Sequence, residues 1–87
     1  MDKKHIVPSD ISILEAIDRL NSLPGDRMTI ILVDEYNRAV GTLTDGDIRR
    51  ALLRGVGLGD AASKAAFTDF RFLTRRKRYL QAQGITL

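Results

Sequence analysis

The stretch GTLTDGDIRR, residues 41 to 50, carries the strongest structural and chemical signal in this chain of 87 residues. It predicts a strand that delivers Thr44 to the first turn of a helix, where backbone amides are unsatisfied and the helix dipole is positive. Thr44 and Asp47 then face one opening, where their oxygens can hydrogen-bond a vicinal diol such as that of a ribose. Arg49 and Arg50 follow along the helix, where guanidinium groups can reach phosphate oxygens.

The same spacing also has a purely structural interpretation. Thr44 and Asp47 match a capping box, in which the threonine side chain caps the helix and the aspartate bonds back to the threonine amide. Spacing alone favours this cap over a ligand site. The two roles can coexist, so both interpretations stay open at this point.

The residues before this stretch predict a strand and an amphipathic helix. Residues 5 to 7 form a short strand candidate that Pro8 ends. Ser12 and Glu15 match a capping box that opens a helix with apolar residues at helical spacing. The helix is expected to end at Pro24-Gly25, because proline cannot continue it.

The middle of the chain predicts a hairpin and a second helix. Residues 28 to 33 are apolar without a break, which is typical of a strand buried on both faces. A polar turn over residues 34 to 38 leads to a returning strand over residues 39 to 42. The second helix begins near Thr44 or Asp45 and closes at Gly55. The core is expected to join the sheet to both helices through Ile13, Ile17, Leu20, Ile30, Leu32, Val40, Ile48 and Leu52.

The C-terminal residues repeat the opening of the chain at coarse resolution. Residues 56 to 69 look like a connector with one turn of helix at most. Residues 70 to 73 predict a strand, residues 75 to 83 a helix that Gly84 stops, and residues 85 to 87 the start of another strand. We therefore expect a fragment or truncated product with a complete repeat at 1–58, a connector at 59–69 and the first part of a second, truncated repeat at 70–87.

Residues 5 to 55 resemble the CBS domain, the regulatory repeat of Bateman-type modules. The family signature has a glycine, two strand residues, a threonine, two variable residues, an aspartate and an aliphatic residue. Residues 41 to 55 look still more like the first CBS repeat at the N-terminus of sugar-phosphate nucleotidyltransferases. The positions that match the CBS signature are Gly41, Thr44, Asp47 and Ile48. Val33-Asp34 in the hairpin and Glu15-Ala16 in the first helix match the CBS pattern as well.

The resemblance implies an α+β fold of βαββα type with a partial second repeat, βαβ. Two such repeats pack sheet to sheet in the family, with clefts for adenine nucleotides between them. The implied ligand here is AMP, ADP or ATP, and no cofactor or metal is implied. In this chain, the resemblance implies that Thr44 and Asp47 contact the ribose and that Ile6 and Val7 contact the base. Arg49 or Arg50 would contact the phosphate.

Composition narrows the possible functions. The chain has no cysteine and one histidine, so neither a disulfide framework nor a thiolate metal site is possible. The longest apolar run, Ile30–Val33, is far below the ~20 residues that span a bilayer, which predicts a soluble, cytoplasmic protein. The serines fall at predicted caps and connectors, and no nucleophile–base pair can be assembled. We therefore expect a regulatory or assembly module without catalytic activity of its own.

The net charge of +3 is unevenly distributed. Residues 1–69 hold nine basic and eleven acidic residues, a net charge of −2, whereas residues 70–87 hold five basic residues and no acid. The basic run Arg75–Arg78 is compatible with a nucleic-acid interface, but we favour its interpretation as a solvated helix face. His5 could titrate beside a ligand phosphate, but an exposed terminal position is favoured.

Three functions remain in view: an adenine-nucleotide sensor, a structural dimerisation module with an empty cleft, and a nucleic-acid binder acting through the basic residues. We regard the third as the weakest. Because a truncated second repeat would leave an apolar sheet face bare, we also expect a two-fold homodimer.

Overall fold

The first five elements follow the order that the sequence predicts. A computed structural model describes residues 5–23, 29–68 and 70–86. The predicted helix end at Pro24-Gly25 and the predicted strand start at Met28 lie outside the described residues. In chain order, β1 (Ile6–Pro8), α1 (Ile13–Asn21), β2 (Thr29–Val33), β3 (Ala39–Thr44) and α2 (Asp45–Leu53) form the βαββα unit.

Three shorter elements follow the βαββα unit. They are a 3-10 helix (Ala62–Lys64), α3 (Phe70–Arg75) and α4 (Lys77–Ala82). Together, the helices and the mixed sheet confirm the predicted α+β class. No helix in the described ranges is both long and apolar enough to cross a bilayer.

The sheet brings three strand ends to one edge. Its order is β1-β2-β3, with β1 parallel to β2 and β3 antiparallel to β2. Ile6 pairs with Ile31, and Thr29 at the start of β2 pairs with Thr44 at the end of β3. The beginnings of β1 and β2 therefore share an edge with the end of β3, where α2 starts.

Strand β2 is buried on both faces, as its unbroken apolar sequence predicts. Ile30 and Leu32 point into an inner core with α1 and α2, and both are fully buried. Ile31 and Val33 point to the opposite face and belong to an outer cluster that also contains Leu73, Leu80 and Ile85. The sheet is therefore the middle layer between two apolar clusters.

The inner core confirms most of the predicted core residues. Ile17 and Val40 are partly buried and pack against it. Leu52 is a wrong prediction, since 38% of its surface is exposed. Ile48 and Ala51, three residues apart, form the buried stripe of α2, and Leu52 lies beyond the edge of that stripe. The buried members of the inner core are Val7, Ile13, Ala16, Leu20, Ile30, Leu32, Leu43, Ile48, Ala51, Ala62 and Ala65.

Asp34 closes the turn between β2 and β3. Its Oδ1 accepts hydrogen bonds from the backbone amides of Tyr36 (2.8 Å) and Arg38 (3.0 Å), and its Oδ2 accepts one from Arg38 Nε (2.8 Å). The amide of Arg38, aided by the amide of Tyr36 and the Arg38 guanidinium, holds the pKa of the Asp34 carboxyl below its ordinary value. Asn37 has a φ of 59°, a left-handed conformation that asparagine tolerates well.

The connector after α2 packs into the same fold. The Asp60 and Leu58 carbonyls accept from the amides of Ile13 (2.9 Å) and Leu14 (3.0 Å), which satisfies first-turn donors of α1. Ala62 and Ala65 are buried in the inner core. Residues 58 to 65 of the predicted connector therefore pack against the βαββα unit.

The strand predicted at residues 70 to 73 is wrong, because these residues begin α3. The helix predicted at residues 75 to 83 is confirmed over most of its length as α4. Leu73 and Leu80 are seven residues apart and both fully buried, a spacing that suits one face of helical segments lying on the sheet. Of the predicted strand at residues 85 to 87, Thr86 forms a single bridge to Arg38, and Leu87 lies outside the described residues.

Residues 70–86, which we call the tail, cover the outer face of the sheet. Leu73, Leu80 and Ile85 contribute its buried side chains. Thr86 is held at the hairpin by two hydrogen bonds, Ala39 N to Thr86 O (2.7 Å) and Thr86 N to Asn37 O (2.9 Å). The expectation of a bare outer face is therefore wrong, since the same chain covers it. The homodimer stays a prediction, but burial of a bare outer sheet face can no longer be the reason for it.

His5 is buried, which contradicts the predicted exposed terminal position. Its Nε2 lies 2.7 Å from the hydroxyl oxygen of Tyr79 on α4, and the two rings are 5.6 Å apart between centroids. The tail covers the histidine, a contact across 74 residues of sequence that local patterns cannot show.

Gly41 provides the first testable prediction. A Cβ at this position would lie 3.0 Å from the Phe67 carbonyl oxygen and 3.1 Å from the Ala66 Cβ. Because the first neighbour is backbone, it cannot move aside cheaply. We expect Gly41→Ala to lower the free energy of unfolding by about 1–3 kcal/mol, measured by chemical denaturation. The control is Gly59→Ala, where a Cβ meets open space. Equal effects of the two substitutions would contradict the predicted contact.

Candidate ligand-binding site

Thr44 and Asp47 form the capping box that their spacing predicts. Thr44 Oγ1 accepts from the backbone amide of Asp47 (3.2 Å) and donates to Asp47 Oδ2 (2.9 Å). The backbone amide of Thr44 donates to the same carboxylate oxygen (2.9 Å). Both halves of the box are present, so the structural interpretation is confirmed. The cap also fixes the carboxylate at the sheet edge where β3 ends.

Asp47 is held between this cap and Arg50. Only 10% of its side-chain surface is exposed, and its Oδ1 accepts from Arg50 Nη2 at 2.7 Å. A carboxylate offers about four lone-pair positions. These contacts with Thr44 and Arg50 leave acceptor capacity on Oδ1. Arg50 itself is 67% exposed, so its guanidinium is accessible to an anion as well as to Asp47.

An open cleft of about 290 Å³ lies beside these groups. Thr29 reaches it from the start of β2, opposite Thr44 in the sheet. Phe67 reaches it from the connector, where hydrogen bonds join the Thr42 amide to the Phe67 carbonyl (2.9 Å) and the Phe67 amide to the Thr42 carbonyl (2.8 Å). The residues that line the cleft are Thr29, Thr42, Thr44, Asp47, Arg50 and Phe67.

The structure brings some of the predicted site residues together and separates others. Thr44, Asp47 and Arg50 line one cleft. Arg49 does not line it, and its Nη2 instead pairs with Asp45 Oδ2 at 2.9 Å on the exposed side of α2. Ile6 packs against the outer cluster, and Val7 is fully buried in the inner core. Base contacts by Ile6 and Val7 stay predictions.

Sequence reasoning missed Thr29, Thr42 and Phe67. Thr29 had only a weak signal, because the predicted strands at residues 28 to 33 and 39 to 42 do not extend to a pairing of Thr29 with Thr44. Phe67 had no such signal, because its pairing with β3 joins residues 25 positions apart. Non-local backbone pairing leaves no periodic pattern in a connector.

The other charged groups in the part of the chain that the structure describes do not form a metal-binding cluster. Within residues 5–23, 29–68 and 70–86, no three histidine, aspartate or glutamate side chains are placed to hold a metal ion together. Residues 75 to 78 are all exposed, as a solvated helix face requires. The clustered threonines, Asp47 and Arg50 therefore make the cleft the best candidate site in the part of the chain that the structure describes.

The fold is a small α+β module in which helices pack on a three-stranded mixed sheet. The model of one family, the CBS domain, matches residues 1–54. This chain belongs to the CBS domain family.

Relatives match the sequence over a short segment and the fold over most of the chain. An uncharacterized protein of Helicobacter pylori is 68% identical over 28 residues, which make up 32% of this chain and 8% of that protein. An uncharacterized conserved protein from Pyrococcus horikoshii has a similar structure, with a TM-score of 0.62 and 18% identity over 91% of this chain and 67% of its own.

A second solved structure, a CBS domain protein from Pyrobaculum aerophilum in complex with AMP, has a TM-score of 0.60 and 19% identity. The match covers 92% of this chain and 65% of that protein. At such low identity, both structures establish the shared fold alone.

Proposed function

We propose that this chain is a non-catalytic regulatory module that senses an adenine nucleotide through the cleft at the start of α2. The observation that carries the proposal is the grouping of Thr44, Asp47 and Arg50 around one opening. A fixed carboxylate and an accessible guanidinium are the two groups that a sugar phosphate needs. Support for the class of ligand comes from the similarly folded Pyrobaculum aerophilum protein, which was solved in complex with AMP.

The sugar contact rests on the geometry of Asp47. Its carboxylate is almost buried and is oriented by the Thr44 cap, so little ordering remains to be done when a ligand arrives. The acceptor capacity of Oδ1 suits a ribose hydroxyl donor, and a hydrogen bond to a charged group is worth about 1.5–3 kcal/mol. Thr44 then contributes mainly by positioning the carboxylate.

The phosphate contact rests on Arg50. Its guanidinium is anchored by one nitrogen on Asp47 and has donors left for a second partner. It lies close to Gly46, where an added Cβ would approach Arg50 Nη1 to 3.4 Å. The absence of a side chain at Gly46 therefore gives the guanidinium room beside the first turn of α2, where the helix dipole also favours an anion.

A second CBS repeat would close the open side of this cleft. We include such pairing in the proposal as the family arrangement, supplied either by another copy or by another part of a longer protein. The link to a sugar-phosphate nucleotidyltransferase has no support beyond the resemblance of residues 41 to 55. It stays a prediction outside the proposed function.

Asp47→Ala tests the proposed site. We expect AMP binding by the full chain to weaken by about 1–3 kcal/mol in calorimetry, because the sugar loses its charged acceptor. The matched control is Asp45→Ala, which removes the same charge from the same helical turn but takes away only an exposed ion pair with Arg49. The control should bind AMP as the unchanged chain does.

Stability separates the cap from the ligand role. Asp47→Ala removes half of the capping box, so we expect its unfolding temperature to fall whatever the cleft binds. A variant that melts earlier but keeps its full AMP affinity would show that Asp47 is a cap alone. If the unchanged chain binds neither AMP, ADP nor ATP, the proposed function fails altogether.

A further inference from the structure

Phe67 is an exposed aromatic residue in an unusual setting. More than half of its surface, 53%, is accessible, yet it lies in the same cleft as Asp47 and Arg50. Isolated apolar residues on a protein surface need no explanation, but an aromatic ring beside a charged pair in a cleft is a typical ligand contact.

The backbone of Phe67 is held firmly in place. Both of its hydrogen-bonding groups pair with Thr42 in β3, at 2.8 and 2.9 Å. Gly41 allows this approach, because any side chain there would meet the Phe67 carbonyl oxygen. The family-signature glycine thus allows the connector backbone to pair with β3, which places Phe67 among the residues that line the cleft.

We infer that the ring of Phe67 is the stacking platform for the base of the bound nucleotide. This inference rests on the proposed function. With the sugar at Asp47 and the phosphate at Arg50, the base needs a flat apolar surface elsewhere along the cleft. Among the residues that the structure describes, Phe67 is the aromatic one that lines the cleft. A phenyl ring stacks on a base without hydrogen bonds, so Phe67 contributes affinity for a planar ring rather than a choice among bases.

Ligands with and without the base test the inference on the full chain. Phe67→Leu keeps an apolar side chain and removes the aromatic face. We expect AMP affinity to fall on the order of tenfold, whereas ribose 5-phosphate affinity stays unchanged. The matched control is Tyr36→Ala in the β2–β3 turn, which removes an exposed aromatic residue outside the cleft lining and should leave AMP affinity unchanged.

A spectroscopic variant gives an independent measurement. The chain has no tryptophan, so Phe67→Trp introduces a single fluorophore at the proposed platform. AMP is expected to quench its fluorescence with the affinity that calorimetry gives, and ribose 5-phosphate is expected to leave it unquenched. Both results together support stacking.

Failure of the inference differs from failure of the proposed function. If Asp47→Ala weakens AMP binding but Phe67→Leu does not, the site stands and the stacking role is overturned. If Phe67→Leu weakens AMP and ribose 5-phosphate equally, Phe67 only shapes the cleft, and the inference is again overturned. Absence of AMP, ADP and ATP binding by the unchanged chain would overturn both.

Discussion

Replacing Leu32 with alanine is expected to lower the free energy of unfolding by about 2–5 kcal/mol. Leu32 is a fully buried residue of β2 and belongs to the inner core. The substitution removes apolar contacts and leaves a cavity that the surrounding sheet and helices cannot fill completely. Such a loss approaches the whole stability of a small domain, so unfolding in denaturant, followed by circular dichroism, should show a large shift of the midpoint.

Leu53→Ala is the matched control for this result. Leu53 ends α2 with 82% of its surface exposed, and its loss should change stability by at most about 0.5 kcal/mol. Similar shifts for the two leucines would contradict the placement of the inner core. Should Leu32→Ala fail to fold, the milder Leu32→Met keeps the comparison measurable, since volume-conserving exchanges usually cost under about 1.5 kcal/mol.

Leu80→Asp is expected to detach the tail from the outer face of the sheet. Leu80 is fully buried in the outer cluster against the face of Ile31 and Val33. A carboxylate cannot stay there without a partner, since burying an unpaired charge costs more than the leucine contributes. The tail should then exchange its amide hydrogens faster. The bared face should raise the sedimenting mass above that of the unchanged chain at micromolar concentration.

Gln81→Asp separates these effects from a change of charge. Gln81 is the next residue of α4 and is exposed, so the same charge placed there should leave the tail attached. If Leu80→Asp sediments and exchanges hydrogens like Gln81→Asp, the tail does not cover the outer face as described.

The predictable part of this fold is local. The capping box of Thr44 and Asp47 needs only residues three apart, and the strand-turn-strand pattern of residues 29 to 44 needs only neighbours. Both features could be predicted from the sequence because the capping residues and the apolar periodicity indicate the same helices and strands. Thr44, Asp47 and Arg50 could be predicted as site residues from the same local pattern.

The missed features depend on distant contacts. The segment from Phe70 to Leu73 has a composition that suits either state, and contact with the sheet face decides for helix. His5 was predicted as exposed because its partner, Tyr79, lies at the other end of the sequence. Phe67 enters the cleft through pairing with β3 that the connector sequence does not reveal. Tertiary contacts thus determine the structure of the tail, whereas local preferences determine the structure of the βαββα unit.

The two-sided burial of β2 has a consequence for strand slippage. In a strand with one polar face, a shift by one residue turns charged groups inward and is strongly penalised. Residues 30 to 33 are apolar on both sides, so polarity offers no such protection here. Alignment must come from the two ends of the hairpin, the Asp34 turn and the Thr44 cap. Changes at these polar ends should therefore allow misaligned chains to accumulate during folding, whereas apolar exchanges within β2 should not.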